Sequence, residues 1–467
     1  MSNQPFQNVE QLIKTRLSET RVSSLAVAVA QDGEIIWEEG FGMADRETQR
    51  SSTPDTIYSL ASISKPITAT GLMILVERGL IDLDAPANNY LGNTKLTAHI
   101  GNANDATVRR LANHTSGLPL HCHFFYADED AVRPSFDETI HRYGHLATLP
   151  GEVYQYANSG FGFLEYIIER VSGKSYPDFL RDEVFTPLKM PNASVDLPPD
   201  KEAQSAIRYS PSGKPLPWYT FDHPGASAIW SSAHDLVRFG MFHLKNHLPD
   251  QQAILSNEII DTMQHPTTEP GATTGYGIGW RKAQYPSGHI TVNHDGSMGG
   301  VRTRLLFVPD HNIALTVLTN GGGHNLPTEI CNAILETLLP DFSATTEPSE
   351  PSPSNDLPTG HWTGHVHTYA GDHTLTLDIQ NETITVQVGD QQTVSVENPS
   401  FKNDHLTGAF NADIGTDDAA KHPYRLELYL KHRSETQMNG TIRVITSPED
   451  RSGNALSYWA EARKNAD

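Results

Sequence analysis

The chain has 467 residues, 56 acidic and 34 basic side chains, and a formal net charge of -22, a balance that argues against nucleic acid or an anionic membrane as partner. Hydrophobic residues are 37% of the total and mean hydropathy is -0.43, as expected of a water-soluble chain of two or three domains with no bilayer-spanning window. Cys122 and Cys331 are the two cysteines, so no disulfide framework is implied; the absence of a basic-then-apolar leader predicts a cytoplasmic location, or a periplasmic or secreted one if a leader has been removed.

Val9, Leu12, Ile13 and Leu17 have helical spacing and predict a first helix with one buried stripe. The run from Leu25 to Ala30 is followed by Asp32-Gly33 and then by residues 34–38. An Asp-Gly pair between strand-like runs predicts a hairpin. The first strand is apolar on both faces, so helices are expected on both sides of its sheet.

The next stretch, Tyr58 to Pro66, contains a Ser-x-x-Lys pair at Ser62 and Lys65, and an apolar run follows as far as Gly79. Proline is tolerated in the first turn of a helix, so Pro66 sets a helix start close to Ser62, with a glycine stop at Gly79. Residues three apart share a helix face, which brings the Lys65 amine within reach of the Ser62 hydroxyl. A serine needs a base to become a nucleophile, and a buried lysine can serve once its pKa is lowered. One such tetrapeptide is expected by chance in a chain this long, so the pair needs company.

From Ser62 to about Leu248 the pattern is mostly helix and loop. Within it, Pro150 to Phe161 carries Tyr156-Ala157-Asn158 ahead of a helical run stopped at Gly173. Asn158 or Ser159 can act simply as an N-cap and Tyr156 as a core aromatic. Alternatively the phenol shuttles protons and the amide orients a lysine. Strand character returns at 276–283, 290–294, 302–308 and 313–319, and a helix is predicted over 328–339. Two strands, a helical middle and at least three further strands imply an α+β fold, an antiparallel sheet with a helical insertion.

At the end of the 290–294 strand stands His294-Asp295-Gly296-Ser297. His294 is one of 22 histidines and can be a surface residue. In a functional reading Gly296 lets substrate approach the strand edge, and the Ser297 N–H pairs with that of Ser62 as an oxyanion hole. The triplet His121-Cys122-His123 is set aside as a metal site, since no carboxylate-histidine pattern accompanies it. Residues 343–357 are a Pro/Ser/Glu linker. Residues 358–467 alternate in short segments at 374–379, 383–388, 425–430, 441–446 and 457–462, which predicts a small all-β barrel or sandwich.

Ser62-x-x-Lys65, Tyr156-x-Asn158 and His294-x-Gly296, in this order, resemble the serine β-lactamase and penicillin-binding-protein superfamily in its class C-like esterase and D-aminopeptidase branch. The resemblance covers about residues 8–340 and is supported by Leu111 to Leu118, Gly225 to Leu236 and Val317 to Asn320. It implies a β-lactamase-like domain over 1–342, with Ser62 acylated, Lys65 and Tyr156 as the base pair, and Asn158, His294, Gly296 and Ser297 in substrate binding. No cofactor or metal is implied. Histidine at 294 stands where penicillin-active members carry the lysine of Lys-Thr-Gly, so small peptide amides or esters are expected as substrates in preference to β-lactams. The C-terminal segment is similar to the lipocalin-like barrel appended to some D-aminopeptidases, and is equally readable as a cap or dimer contact. The expected partner is a small molecule or short peptide, with self-association left open. The alternatives are a carboxylesterase or acyltransferase on small acyl esters, and a non-catalytic binding protein on the same fold.

Overall fold

The computed structural model describes residues 4–268, 272–322, 324–344, 357–381 and 383–465. The element on which the first half is built is β1 (Ser24–Gln31), buried along nearly its whole length. Its turn to β2 (Glu34–Asp45) runs through Asp32 and Gly33, both at positive φ (50° and 86°), the conformation that two-residue hairpins with the strands' own twist require. β3 (Arg50–Ser51) extends this edge. On its other side β1 pairs with a strand from nearly three hundred residues later. That group comprises β4 (Gly275–Tyr276), β5 (Arg281–Gln284), β6 (Ile290–Met298), β7 (Val301–Val308) and β8 (Ile313–Thr319). Among the described residues the sheet order is β4-β5-β6-β7-β8-β1-β2-β3, antiparallel throughout.

Both faces of β1 are covered, as its apolar pattern predicts. Leu25, Val27 and Val29 pack with α1 (Gln7–Glu19) and the last helix of this part, Leu326–Leu338. Ala26, Ala28 and Ala30 face the other helical layer, α2 (Ser64–Glu77), α3 (Asn158–Ser172) and α4 (Ala233–His243). α2 is buried on every side from Ser64 to Leu75, which is why its sequence is an unbroken apolar run instead of a stripe. Gly79 and Gly173 lie just past α2 and α3 in the left-handed region (φ 71° and 70°), so both glycine stops stand where the sequence places them.

The C-terminal part is a nine-stranded antiparallel sheet among the described residues, running from Gly360–Thr368 to Ala455–Lys464. Those two strands pair with each other, and the sheet's ends, Val394–Ser395 and Glu397–Lys402, adjoin in the chain, so the barrel is nearly closed. Five of its strands match the predicted segments. Gly360–Thr368, Val394–Ser395, Glu397–Lys402 and His405–Phe410 are not among them; the last three are short and only partly buried, and carry little alternation. The predicted linker falls almost wholly outside the described residues. The barrel's apolar core takes in Tyr143 from the helical insertion, whose hydroxyl donates to Asp418 (2.7 Å). The Ala455 strand also pairs with Cys122 in both directions at 2.8 Å, and Arg433 and Lys431 bind Glu152. No helix among the described residues is long and apolar enough to cross a membrane.

Candidate active site

Ser62 is held by a turn built between two strands. Leu60 N–H donates to Ile229 O (2.9 Å), and Leu60 O accepts from Thr303 Oγ1 on β7 (2.8 Å). The chain then reverses at Ala61, a non-glycine residue at φ 51°, a conformation that persists only where surroundings enforce it. A 3₁₀ turn, Ala61–Ile63, leads into α2. Ser62 therefore sits half-buried at a helix N-terminal end, where backbone N–H groups lack intrahelical partners. Pro66 falls in the first helical turn, as the sequence predicts.

Lys65 is fully buried. Its Nζ lies 3.2 Å from Ser62 Oγ and donates to Asn158 Oδ1 (2.8 Å) and Ala226 O (3.1 Å). Burial holds its pKa well below the ordinary 10.5, with only the neighbouring Cys122 working the other way. Asn158 is the first residue of α3, whose N-cap is Ala157 without a side-chain cap. Its amide is thus free to bridge, donating from Nδ2 to His121 O (2.7 Å) while accepting from Lys65. The N-cap alternative for Asn158 and Ser159 is set aside by this geometry.

Tyr156 places its ring 4.6 Å from Lys65 Nζ. Burial pushes its phenol up, against a hydrogen bond with the Ser62 hydroxyl, so at neutral pH the group is a phenol and not a phenolate. The loop carrying it is braced by His114, buried, whose ring stacks near Tyr156 (4.3 Å) and Tyr276 (4.8 Å) and whose Nδ1 accepts from Ala157 N–H (3.2 Å). In the sequence His114 stood out only within a supporting stretch.

β6 runs past the point where the sequence ended it, so residues 294–298 are strand. Ser297 lines one cavity with Ser62, Tyr156 and Asn158. A Cβ on Gly296 would overlap Leu60 O and Thr303 Oγ1, so the turn that carries Ser62 itself requires glycine there. The expectation for His294 is corrected. His294 is buried behind Tyr276 and is not in the cavity wall. Its Nδ1–H donates to Asp295 O (2.8 Å) and Nε2 accepts from Tyr276 Oη (2.9 Å), and burial with Lys65 nearby lowers its pKa to about 3. It is neutral, and offers no cation to a substrate.

The cavity, about 690 Å³, is also bordered by Cys122, Phe124, Arg302 and a barrel loop, Asp450 to Gly453. Cys122 is a neutral thiol, pushed up to about 12 by burial and by Asp222, with Lys65 opposing. Arg302 touches Ser297 Oγ and has no carboxylate partner among the described residues. Arg451 instead is held by Asp128 (2.9 Å) and Glu129 (3.1 Å). Neither arginine is recognisable from sequence, because the cavity is closed by parts of the chain that meet only in the fold. The His121-Cys122-His123 triplet does have a carboxylate beside it, Asp222.

A serine beside a buried lysine at a helix start, over an antiparallel sheet with a helical insertion, defines a class of serine hydrolase domain, and comparison with known proteins agrees. A family model described as Beta-lactamase matches residues 9–335, and the chain belongs to this family of β-lactamase and penicillin-binding-protein-like serine hydrolases, which act through an acyl-enzyme. Penicillin-binding protein 4 of Amycolatopsis lactamdurans is 30% identical over 362 residues, 73% of this chain and 93% of that protein. Two solved structures match across both parts of the fold. SurE with D-Leu is 20% identical, with a TM-score of 0.64 over 97% of this chain and 100% of its own. The octameric penicillin-binding protein homologue from Pyrococcus abyssi is 23% identical, with a TM-score of 0.62 over 97% and 99%.

Proposed function

We propose that Ser62 is the nucleophile of an acyl-enzyme hydrolase for small peptide amides or esters, with Lys65 as its base. The observation that carries this reading is the set of three contacts around Lys65 Nζ. A neutral amine has two N–H donors and one lone pair. Asn158 Oδ1 and Ala226 O can only accept, so they take the two donors, and the lone pair is left for the Ser62 hydroxyl. An ammonium would need charge compensation, and among the described residues no carboxylate contributes to the Lys65 environment.

The proton of Ser62 passes to Lys65 as Oγ bonds to the substrate carbonyl carbon. The carbonyl oxygen becomes an oxyanion between the N–H groups of Ser62 and Ser297. Tyr156 donates its phenolic proton to the leaving amine or alkoxide and is reprotonated from Lys65, as the carbon–leaving-group bond breaks. Water then attacks the Ser62 ester, giving its proton back along the same route. Asn158 and Ala226 orient the lysine, and His294 holds Tyr276 against the His114 brace.

Arg302 supports a substrate with a carboxylate near the scissile bond, because it supplies beside Ser297 the fixed cation that neutral His294 does not. The D-Leu in the SurE structure supports a D-configured residue there. The octameric homologue supports self-association, which light scattering measures. The test is a panel of chromogenic esters, D- and L-aminoacyl anilides and a cephalosporin, each with and without a carboxylate on the leaving group. Arg302→Ala should raise KM for the acidic members about ten- to a hundredfold and leave the neutral ones unchanged. Equal effects on both would remove Arg302 from substrate recognition, and a panel with no turnover would refute the hydrolase.

A further inference from the structure

A second cluster of chemistry-bearing side chains lies behind the active-site wall; its rings pack against Tyr143 and Phe125, but neither that packing nor the proposed catalysis uses its ring nitrogens. In the extended segment 121–123 the side chains alternate. Cys122 borders the substrate cavity, while His121 and His123 lie against Asp222, and one ligand atom from each of these three falls within 4.8 Å of the other two. All three are buried, at 1% exposure each. Asp222 Oδ2 lies 2.8 Å from His121 Nε2 and 3.7 Å from His123 Nδ1.

Three imidazoles gather round this one carboxylate, and one of them is left without a hydrogen bond. Among the described residues neither ring nitrogen of His123 has a hydrogen-bond partner, and His121 Nδ1 also lacks one. A buried imidazole with no partner is costly and uncommon. Binding an ion resolves it. Two ligand atoms on one tetrahedral zinc stand about 3.3 Å apart, and the observed 2.8 and 3.7 Å bracket that spacing. The carboxylate is also oriented from behind, since His223 Nδ1 donates to Asp222 Oδ1 (2.6 Å), the kind of support that ligating carboxylates receive. Two imidazoles and one carboxylate suit zinc-class ions.

We propose that His121, His123 and Asp222 form a structural site for a divalent transition-metal ion of the zinc class. Three protein ligands leave one tetrahedral position for a water enclosed with the ion, and the burial of all three assigns the site to holding the fold and not to chemistry on a substrate. The ion joins two segments that both position Lys65. His121 O accepts from Asn158, which accepts from Lys65. Asp222 lies just ahead of the short helix Pro224–Ser227, whose Ala226 O accepts from Lys65 directly. The same segment is bonded to the barrel, through Cys122 with Ala455 and through Ser457 Oγ to Leu120 O (2.6 Å). The site thus ties together the two walls behind the lysine and the barrel. It stands whatever the substrate of Ser62 is.

The test uses the full chain stripped with a chelator and titrated with Zn²⁺ against a chromophoric chelator, then with Co²⁺ for its visible spectrum. His123→Leu is the informative variant, because His123 makes no hydrogen bond and its removal breaks none. The wild type should bind one Zn²⁺ per chain with a sub-micromolar Kd, give the intense visible bands of tetrahedral Co²⁺, and gain thermal stability on binding. His123→Leu should melt close to the stripped wild type and bind Zn²⁺ at least about a hundredfold more weakly. Should His123→Leu not fold, the wild-type stoichiometry and Co²⁺ spectrum decide alone. No stoichiometric binding by the wild type, or equal affinity in His123→Leu, would overturn the proposal, the latter by placing the ion on other histidines.

Discussion

Replacing Lys65 with methionine separates the burial of an amine from its use. Methionine has nearly the same reach but neither charge nor donors. Two acceptors, Asn158 Oδ1 and Ala226 O, then lose their partner, at about 1–3 kcal/mol each. Against this, the wild-type chain carries the cost of keeping a lysine neutral, because burial lowers its folded pKa well below the unfolded 10.5. Below the folded value both states hold the proton and the cost is complete. Between the folded value and 10.5 the unfolded chain binds a proton that the folded chain has released, so stability climbs with pH by about 1.4 kcal/mol per unit. Above 10.5 the gain is complete. Lys65→Met lacks that rise, and all other titrations cancel in the comparison. For a chain of this length the difference in Tm should drift by about 1.5 °C per pH unit in favour of the wild type, while kcat/KM falls about a hundredfold to ten-thousandfold. Urea and thermal unfolding of both proteins from neutral pH to about pH 10 measure it. A stability difference that stays constant over that range would show that Lys65 is not held neutral, and would remove it as the base.

Tyr156→Phe keeps the ring against Lys65 and His114 but removes the phenol, so folding should be intact and kcat about a hundredfold to ten-thousandfold lower; wild-type kcat would make Tyr156 structural. Gly296→Ala forces a Cβ into Leu60 O and Thr303 Oγ1, which should cost about 1–3 kcal/mol by urea unfolding and slow acylation by moving the Ser62 turn. An unchanged urea midpoint and rate would show that the turn gives way freely. Arg451→Ala frees the barrel loop from Asp128 and Glu129, so hydrolysis of long substrates should rise relative to short ones. An unchanged ratio would mean that the loop does not limit access.

The core of the candidate site is legible in sequence because its signals are local. Ser62 and Lys65 are one helical turn apart, Asp32-Gly33 admits few other conformations, and Gly79 and Gly173 end their helices for the same steric reason. β1 could be read as buried on both faces, but not as the neighbour of β8, since pairing across nearly three hundred residues leaves no local trace. Glycine at 296 announces only a close approach; that the Ser62 turn makes one shows only in the fold. His294 looked like a site residue by motif position; its burial and its bond to Tyr276 exist only in the folded sheet. Asp222 is a hundred residues from His121, so a carboxylate sought near the triplet in sequence was not found. The barrel's involvement is the largest such gap. Its composition indicated an appended domain, whereas Tyr143, Cys122 and Arg451 show each part lending groups to the other.

The central claim is that Ser62 is acylated, and labelling with a fluorophosphonate probe tests it most directly. Intact mass followed by peptide mapping should show a single adduct, on the peptide containing Ser62, formed more slowly in Lys65→Met and absent in Ser62→Ala. An adduct that persists unchanged in Ser62→Ala would contradict the account.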